Sequence, residues 1–360
     1  KEKAARALGF LADGNDATRN AIIQEGGIAP LVALVRGGTD LQKEKAAEAL
    51  GRLADGNVAT RIAICREGGI TPLVLLVREG AFYPRKYALD ALKSLASLND
   101  ERRHAICSPL VALVRDGTDS QKEKAAEALG RLADGNVATR IAICREGGIT
   151  PLVALVRDGT NSQKWKAAEA LGCLAAGNDA TGNAIAQEGG IALLVALVRD
   201  GTDSQKEKAA EALGLLAISN DAVRNAISRE GGIAPLVALV REGAFYPRKY
   251  ALDALKSLAS LNYETLHAIC APLVALVRDG TDSQKWKAAE ALGCLAAGND
   301  ATRNAIVQEG GIAPLVALVR GGTDSQKEKA AEGLGRIADG NDATRIAIAR
   351  EGWSRKRKRS

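Results

Sequence analysis

The chain of 360 residues has no Met, two His, and aromatic side chains at only 3% of its composition. Each scarcity excludes something. His104 and His267 lie 163 residues apart in equivalent surroundings, so no Ser-His-Asp type relay can be argued from them. A metal role is not expected of either. With so few aromatics the core has to be built from Ala, Leu, Val and Ile. No segment alternates like a strand, no apolar run reaches membrane length, and nothing resembles a signal peptide. A P-loop, a Gly-x-Gly-x-x-Gly after a strand and a Ser nucleophile elbow are also missing. The absence of Met extends to position 1, which reads as a piece of a longer or processed chain. The six cysteines (Cys65, Cys107, Cys144, Cys173, Cys270, Cys294) are scattered singly. They read as reduced, mostly buried thiols of a cytosolic or nuclear protein.

What is present is a repeat. "PLVALVR", or a near copy, begins at Pro30, Pro72, Pro109, Pro151, Leu193, Pro235, Pro272 and Pro314, with spacings of 42, 37, 42, 42, 42, 37 and 42. Each period predicts three helices. The first, Asn15 to Gly27, is capped by Asn15 or Asp16 and ended by Gly26 and Gly27. The second carries Pro30 in its first turn and stops at Gly37 and Gly38. The third opens with Thr39 and Gln42 as a capping box and closes at Gly56. Within it Ala46, Ala47, Leu50, Leu53 and Ala54 form one apolar stripe. Such a triple cannot bury its own apolar faces, but stacked copies can, so an all-α solenoid follows.

The pattern NDATRNAI, EGGIAPLVALV, TDxQKEKAAEALGRLADG resembles the armadillo repeat of the importin-alpha, beta-catenin and plant or protist armadillo families, over essentially the whole chain. The resemblance implies a right-handed superhelical solenoid of about eight three-helix repeats over residues 1–352. Repeats start near 15, 57, 99, 136, 178, 220, 262 and 299, with partial repeats at both ends and a basic tail at 353–360. It also implies that the third helices line a concave groove for an extended partner. In the importin type a Trp and an Asn four residues apart hold the peptide. Here the Trp position holds Glu48, Asp90, Glu127, Glu169, Glu211, Asp253, Glu290 and Glu332. The Asn position holds Arg52, Ser94, Arg131, Cys173, Leu215, Ser257, Cys294 and Arg336. The importin mechanism therefore does not carry over.

The acidic row still points to chemistry. Carboxylates on one face attract Lys and Arg, and Trp165 and Trp286 at the head of the stripe would add cation–π attraction. Against this, Glu–Lys and Glu–Arg neighbours also serve a solvated helix. Arg52, Arg131 and Arg336 would meet acidic groups or carbonyls of a ligand. Repeats two and six share REGAFYPRKYALDALKSLAS and precede the 37-residue spacings, which lack the Arg-Glu-Gly-Gly-Ile joint. Their Phe82, Tyr83, Tyr87, Phe245, Tyr246 and Tyr250 are expected to fill space left by the short joint. The alternative is a pair of aromatic recognition patches. His104 and His267 are expected to face that joint.

Formal net charge is +6, of which Arg355, Lys356, Arg357, Lys358 and Arg359 supply +5. The body is nearly neutral, so nucleic-acid binding by it is disfavoured. The tail reads as a nuclear-localisation signal or as a ligand for the chain's own last repeats. The expectation is a non-enzyme without cofactor, metal or membrane contact, cytoplasmic or nuclear. It would bind a protein or peptide partner in the form of an extended, basic segment. The alternatives are a self-assembling scaffold joined through ends or tails, and the recognition arm of a larger ubiquitin ligase.

Overall fold

Local chemistry sets the punctuation of the chain. The computed structural model describes residues 1–340 and 342–352. Its described residues form 24 helices and no strand, and no single helix among them is long and apolar enough to cross a membrane. The expected tail, Arg355 to Arg359, lies outside the described residues.

Two compact units divide the chain, the first over Lys1–Leu174 and the second from Ala175 onward. In the first unit α1 (Glu2–Ala12) is a lone third helix. Repeat one is α2 (Asp16–Gln24), α3 (Ile28–Gly37) and α4 (Asp40–Gly56). Repeat two is α5 (Val58–Arg66), α6 (Ile70–Glu79) and α7 (Phe82–Ala96). Repeat three is α8 (Asp100–Asp116) and α9 (Asp119–Ala133). Repeat four is α10 (Val137–Arg145), α11 (Ile149–Asp158) and α12 (Asn161–Ala175), whose last residue enters the second unit.

The second unit continues with α13 (Asp179–Gln187), α14 (Gly190–Asp200) and α15 (Asp203–Ser219), then α16 (Asp221–Arg229), α17 (Ile233–Glu242) and α18 (Phe245–Leu258). Repeat seven is α19 (Tyr263–Asp279) and α20 (Asp282–Ala296). Repeat eight is α21 (Asp300–Gln308), α22 (Ile312–Gly321) and α23 (Asp324–Ala338), followed by the lone first helix α24 (Asp342–Arg350).

The first helices begin on an Asn side chain. Asn15 accepts from the Thr18 N–H at 3.0 Å, and Asn57 does the same for Thr60 at 2.9 Å. They end where Gly26 takes a left-handed φ of 66°, a region that side chains with a Cβ seldom occupy. Most third helices open with the reciprocal Thr–Gln capping box, as at Thr39 and Gln42. In α7 and α18 the N-cap is Ala81 or Ala244 instead. Pro84 and Pro247 sit three positions later in the sequence, where a capping oxygen would find no N–H, so a polar cap has lost its main partner there.

The 37-residue spacings have a definite structural outcome. Without the Gly-Gly joint, first and second helices are one continuous helix of 17 residues, α8 or α19, with Pro109 or Pro272 inside. Each proline removes one backbone hydrogen bond. The fused helices bury Cys107 and Cys270 completely. Burial pushes both thiols up to about 12. Cys65 and Cys144, on separate first helices, are only half-buried.

The third helices stack side by side. α1 lies along α4 and α4 along α7 in the first unit; α15 lies along α18 and α20 along α23 in the second. A glycine on the packing face permits this. A Cβ on Gly51 would stand 3.6 Å from the Tyr87 carbonyl, and one on Gly130 would stand 3.2 Å from the Ala170 Cα. In α7 and α18 the corresponding residues are Lys93 and Lys256. Here α7 meets α9, and α18 meets α20, over a much smaller surface.

Candidate functional site

The apolar stripe of each third helix fixes where its polar stripe must lie. In α4, Ala46, Ala47, Ala49, Leu50, Leu53 and Ala54 are fully buried. Glu44, Glu48 and Arg52 occupy the remaining face at helical spacing and are half-buried. The acidic row is present in each unit, and most of its charges are engaged by cations of the chain itself.

In the first unit the Glu48 carboxylate takes Lys45 Nζ at 3.3 Å and Arg52 Nη2 at 2.8 Å. Arg52 also pairs with Asp13 and lies 5.2 Å from the centre of the Phe10 ring. Glu44, ahead of Glu48, holds the Lys45 ammonium above its ordinary range. Asp90 pairs with Arg131 at 3.3 Å, with both side chains exposed. Glu127 sits between Arg85 of α7, at 3.6 Å, and Lys166 of α12, at 3.3 Å, so three repeats meet at one carboxylate. Lys166 Nζ also lies 3.9 Å from the centre of the Trp165 ring. Glu169 is half-buried on α12.

In the second unit Glu211 takes Lys208 at 3.0 Å. Burial, with the Glu211 carboxylate beside it, pushes the Tyr250 phenol up. Glu290 receives Arg248 Nη1 at 2.9 Å and faces Lys329 at 3.9 Å. The same Arg248 guanidinium lies 4.6 Å from the centre of the Trp286 ring. Glu332 pairs with Arg336 and with Lys329 at 3.5 Å, and Arg336 reaches the Cys294 sulfur at 3.6 Å. Asp253 is exposed, and its carboxylate has no ion-pair partner among the described residues.

Trp165 and Trp286 thus already stack on cations of the chain, Lys166 and Arg248, and the partners of Glu127 and Glu290, Arg85 and Arg248, were not singled out from the sequence. The available signal was their position: each replaces a Lys43-type residue in a repeat whose next neighbour carries the acid, 42 residues on.

The aromatic repeats correct the sequence reading. Phe82 and Tyr83 are 60% and 58% exposed, and Phe245 and Tyr246 are 63% and 57% exposed. They do not fill the space of the short joint. As the first two residues of α7 and α18 they precede the buried Pro84 and Pro247 and project outward. Each pair is edge-to-face, with ring centres 5.3 Å apart. Tyr87 and Tyr250 are half-buried on the polar stripe. The histidines do not face their own joint either. His104 Nδ1 lies 2.6 Å from Glu146, and His267 Nδ1 lies 2.5 Å from Glu309, each in the Gly-Gly joint of the next repeat.

A cleft of about 380 Å³ opens between α4 and α7, lined by Glu48, Gly51, Arg52, Asp55, Tyr87, Asp90, Lys93 and Ser94. Larger clefts lie between successive second helices. One of about 560 Å³ includes Pro151 and Gln163 in the first unit, and one of about 570 Å³ includes Pro235 and Lys206 in the second. They hold none of the residues singled out from the sequence as site candidates. No group of three or more His, Cys, Asp or Glu among the described residues could hold a metal ion.

No family model and no curated protein matches the sequence. Solved structures do match. An engineered protein from the Northeast Structural Genomics Consortium is 32% identical, with 98% of this chain and 88% of that chain covered and a TM-score of 0.62. A second engineered protein from that consortium is 30% identical, over 65% of this chain and 97% of its own, with a TM-score of 0.52. A designed armadillo repeat protein, solved in complex with the peptide (KR)4, is 22% identical over 64% of this chain and 99% of its own, with a TM-score of 0.52. The chain has an armadillo-like helical repeat fold.

Proposed function

We propose that the chain is a non-catalytic binding scaffold whose third-helix faces hold an extended, basic polypeptide segment. One observation carries the reading: a carboxylate occupies the same third-helix position in all eight repeats. The fold supports it, because a designed protein of this fold takes a Lys-Arg peptide. The internal cations do not bar it. Exposed or half-exposed Lys–Glu pairs one helical turn apart are worth about 0–1 kcal/mol, so an incoming Lys or Arg exchanges one weak partner for another. Carboxylate geometry favours a bidentate Arg in such an exchange.

The scaffold alternative has its own support. Arg85, Glu127 and Lys166 link three successive repeats, as do Arg248, Glu290 and Lys329. In that reading the acids clamp the stack and no ligand is needed.

Fluorescence anisotropy with labelled (KR)4 separates the two. The triple variant Asp90→Asn, Glu211→Gln, Asp253→Asn spares both bridges. It is expected to bind at least about tenfold more weakly and to show a shallower dependence on salt, with unchanged thermal unfolding. If affinity and salt dependence both stay at the wild-type value, the acidic row is not the site.

A further inference from the structure

The two units carry the same third-helix pair twice, α4 with α7 and α15 with α18; α4 and α15 differ at four positions, Leu41/Ser204 near the start, Gly56/Ser219 at the end and two on the exposed stripe. Glu48, Gly51, Tyr87 and Asp90 of the first pair correspond to Glu211, Gly214, Tyr250 and Asp253 of the second. Arg52 is replaced by Leu215 and Asp55 by Ile218. The helix packing is equivalent, since a Cβ on Gly214 would stand 3.6 Å from Ala254, as on Gly51 it stands 3.6 Å from Tyr87.

The exchange changes what each face can hold. In the first unit Arg52 is engaged by Glu48, Asp13 and the Phe10 ring, and Asp90 is engaged by Arg131. An apolar side chain placed there would meet ion pairs and desolvate them. In the second unit Leu215 is half-buried and Ile218 is 61% exposed. They lie one turn apart on one face of α15. Arg52, Asp55 and Asp90 line one cleft in the first unit, so the equivalent Asp253 of α18 stands across from Leu215 and Ile218, with no ion-pair partner among the described residues. One wall therefore favours an apolar side chain, and the other favours a cation.

We infer that the α15–α18 face is a composite subsite for an Arg or Lys adjacent to a bulky aliphatic residue of an extended partner segment, a specificity that the α4–α7 face lacks. The inference rests on the groove reading above and adds sequence selectivity to it. A purely basic segment suits either unit, whereas an aliphatic-basic pair is directed to the second.

Two labelled peptides of equal charge test it: Gly-Ser-Leu-Arg-Leu-Arg-Ser-Gly and the same peptide with Ala in place of each Leu. The wild-type chain is expected to bind the Leu peptide about tenfold more tightly, the order of discrimination that a few methylenes give in an apolar site. Leu215→Arg with Ile218→Asp is expected to abolish that preference while leaving (KR)4 affinity within about twofold. Ile218→Asp alone, at an exposed position, gives a partial loss and guards against a folding defect in the double variant. Equal wild-type affinity for the two peptides, or a preference that survives both variants, overturns the subsite while (KR)4 binding still supports the groove. Failure of all three peptides to bind overturns the groove reading and the subsite with it.

Discussion

The α4–α7 and α7–α9 junctions of the first unit join third helices of consecutive repeats, yet one is close and the other is held apart. At the first, Gly51 presents no side chain to Tyr87 and Ala91. At the second, Lys93 stands where Gly51 stands, and α7 and α9 share a much smaller surface. The second unit repeats the contrast at α15–α18 and α18–α20, with Gly214 and Lys256. Each open junction coincides with a fused first and second helix, α8 or α19. Arg85–Glu127 and Arg248–Glu290 bridge the two open junctions. The difference teaches that the spacing of third helices is set by one small residue per repeat, and that polar bridges take over where it is missing.

The largest effect is expected from reversing the small residue. Gly130→Lys puts a side chain where even a Cβ lies 3.2 Å from the Ala170 backbone, and overpacking of this kind costs about 3 kcal/mol. Lys93→Gly at the open junction is expected to change stability by no more than about 1 kcal/mol, the helix-propensity difference. Urea unfolding of the full chain measures both. Comparable losses would show that the glycine does not set the spacing.

Next come the bridges. Arg248→Ala removes a 2.9 Å contact to Glu290 and the stack on Trp286, and should cost about 2 kcal/mol. Arg85→Ala removes a 3.6 Å contact, and should cost about 1 kcal/mol. Thermal unfolding that ranks them in the opposite order would count against the bridge account.

The smallest effect concerns the caps. Ala81→Thr alone should alter stability by less than about 0.5 kcal/mol, because Pro84 has no N–H to donate. Combined with Pro84→Gln it should recover up to about 1 kcal/mol of capping. A full gain from Ala81→Thr alone would mean that another donor satisfies the cap.

The sequence made the helix punctuation legible because Asn15, Thr39 with Gln42, and Gly26 act on backbone groups within a few residues. The short joint was also visible as a missing Gly-Gly pair. That loss runs the first helix nearly into the second at His104–Val111 and His267–Val274, and the continuous α8 and α19 carry it one step further, with Pro109 and Pro272 inside the helix rather than in a first turn. The charge state of the groove was legible only in part. The carboxylates stood out at fixed positions, but their long-range partners Arg85 and Arg248 are 42 residues away and become neighbours only through stacking. The exposure of Phe82 and Phe245 was missed because aromatic residues are usually read as core. Their place at the very start of a helix, ahead of the proline that packs inward, is what turns them out.

Hydrogen–deuterium exchange of the full chain with saturating (KR)4 tests the central claim most directly. The account predicts slowed exchange along third helices such as α4, α9, α15 and α20, with the first helices α5, α10 and α16 unchanged. Slowed exchange confined to the first helices, or none anywhere with the peptide bound, would contradict it.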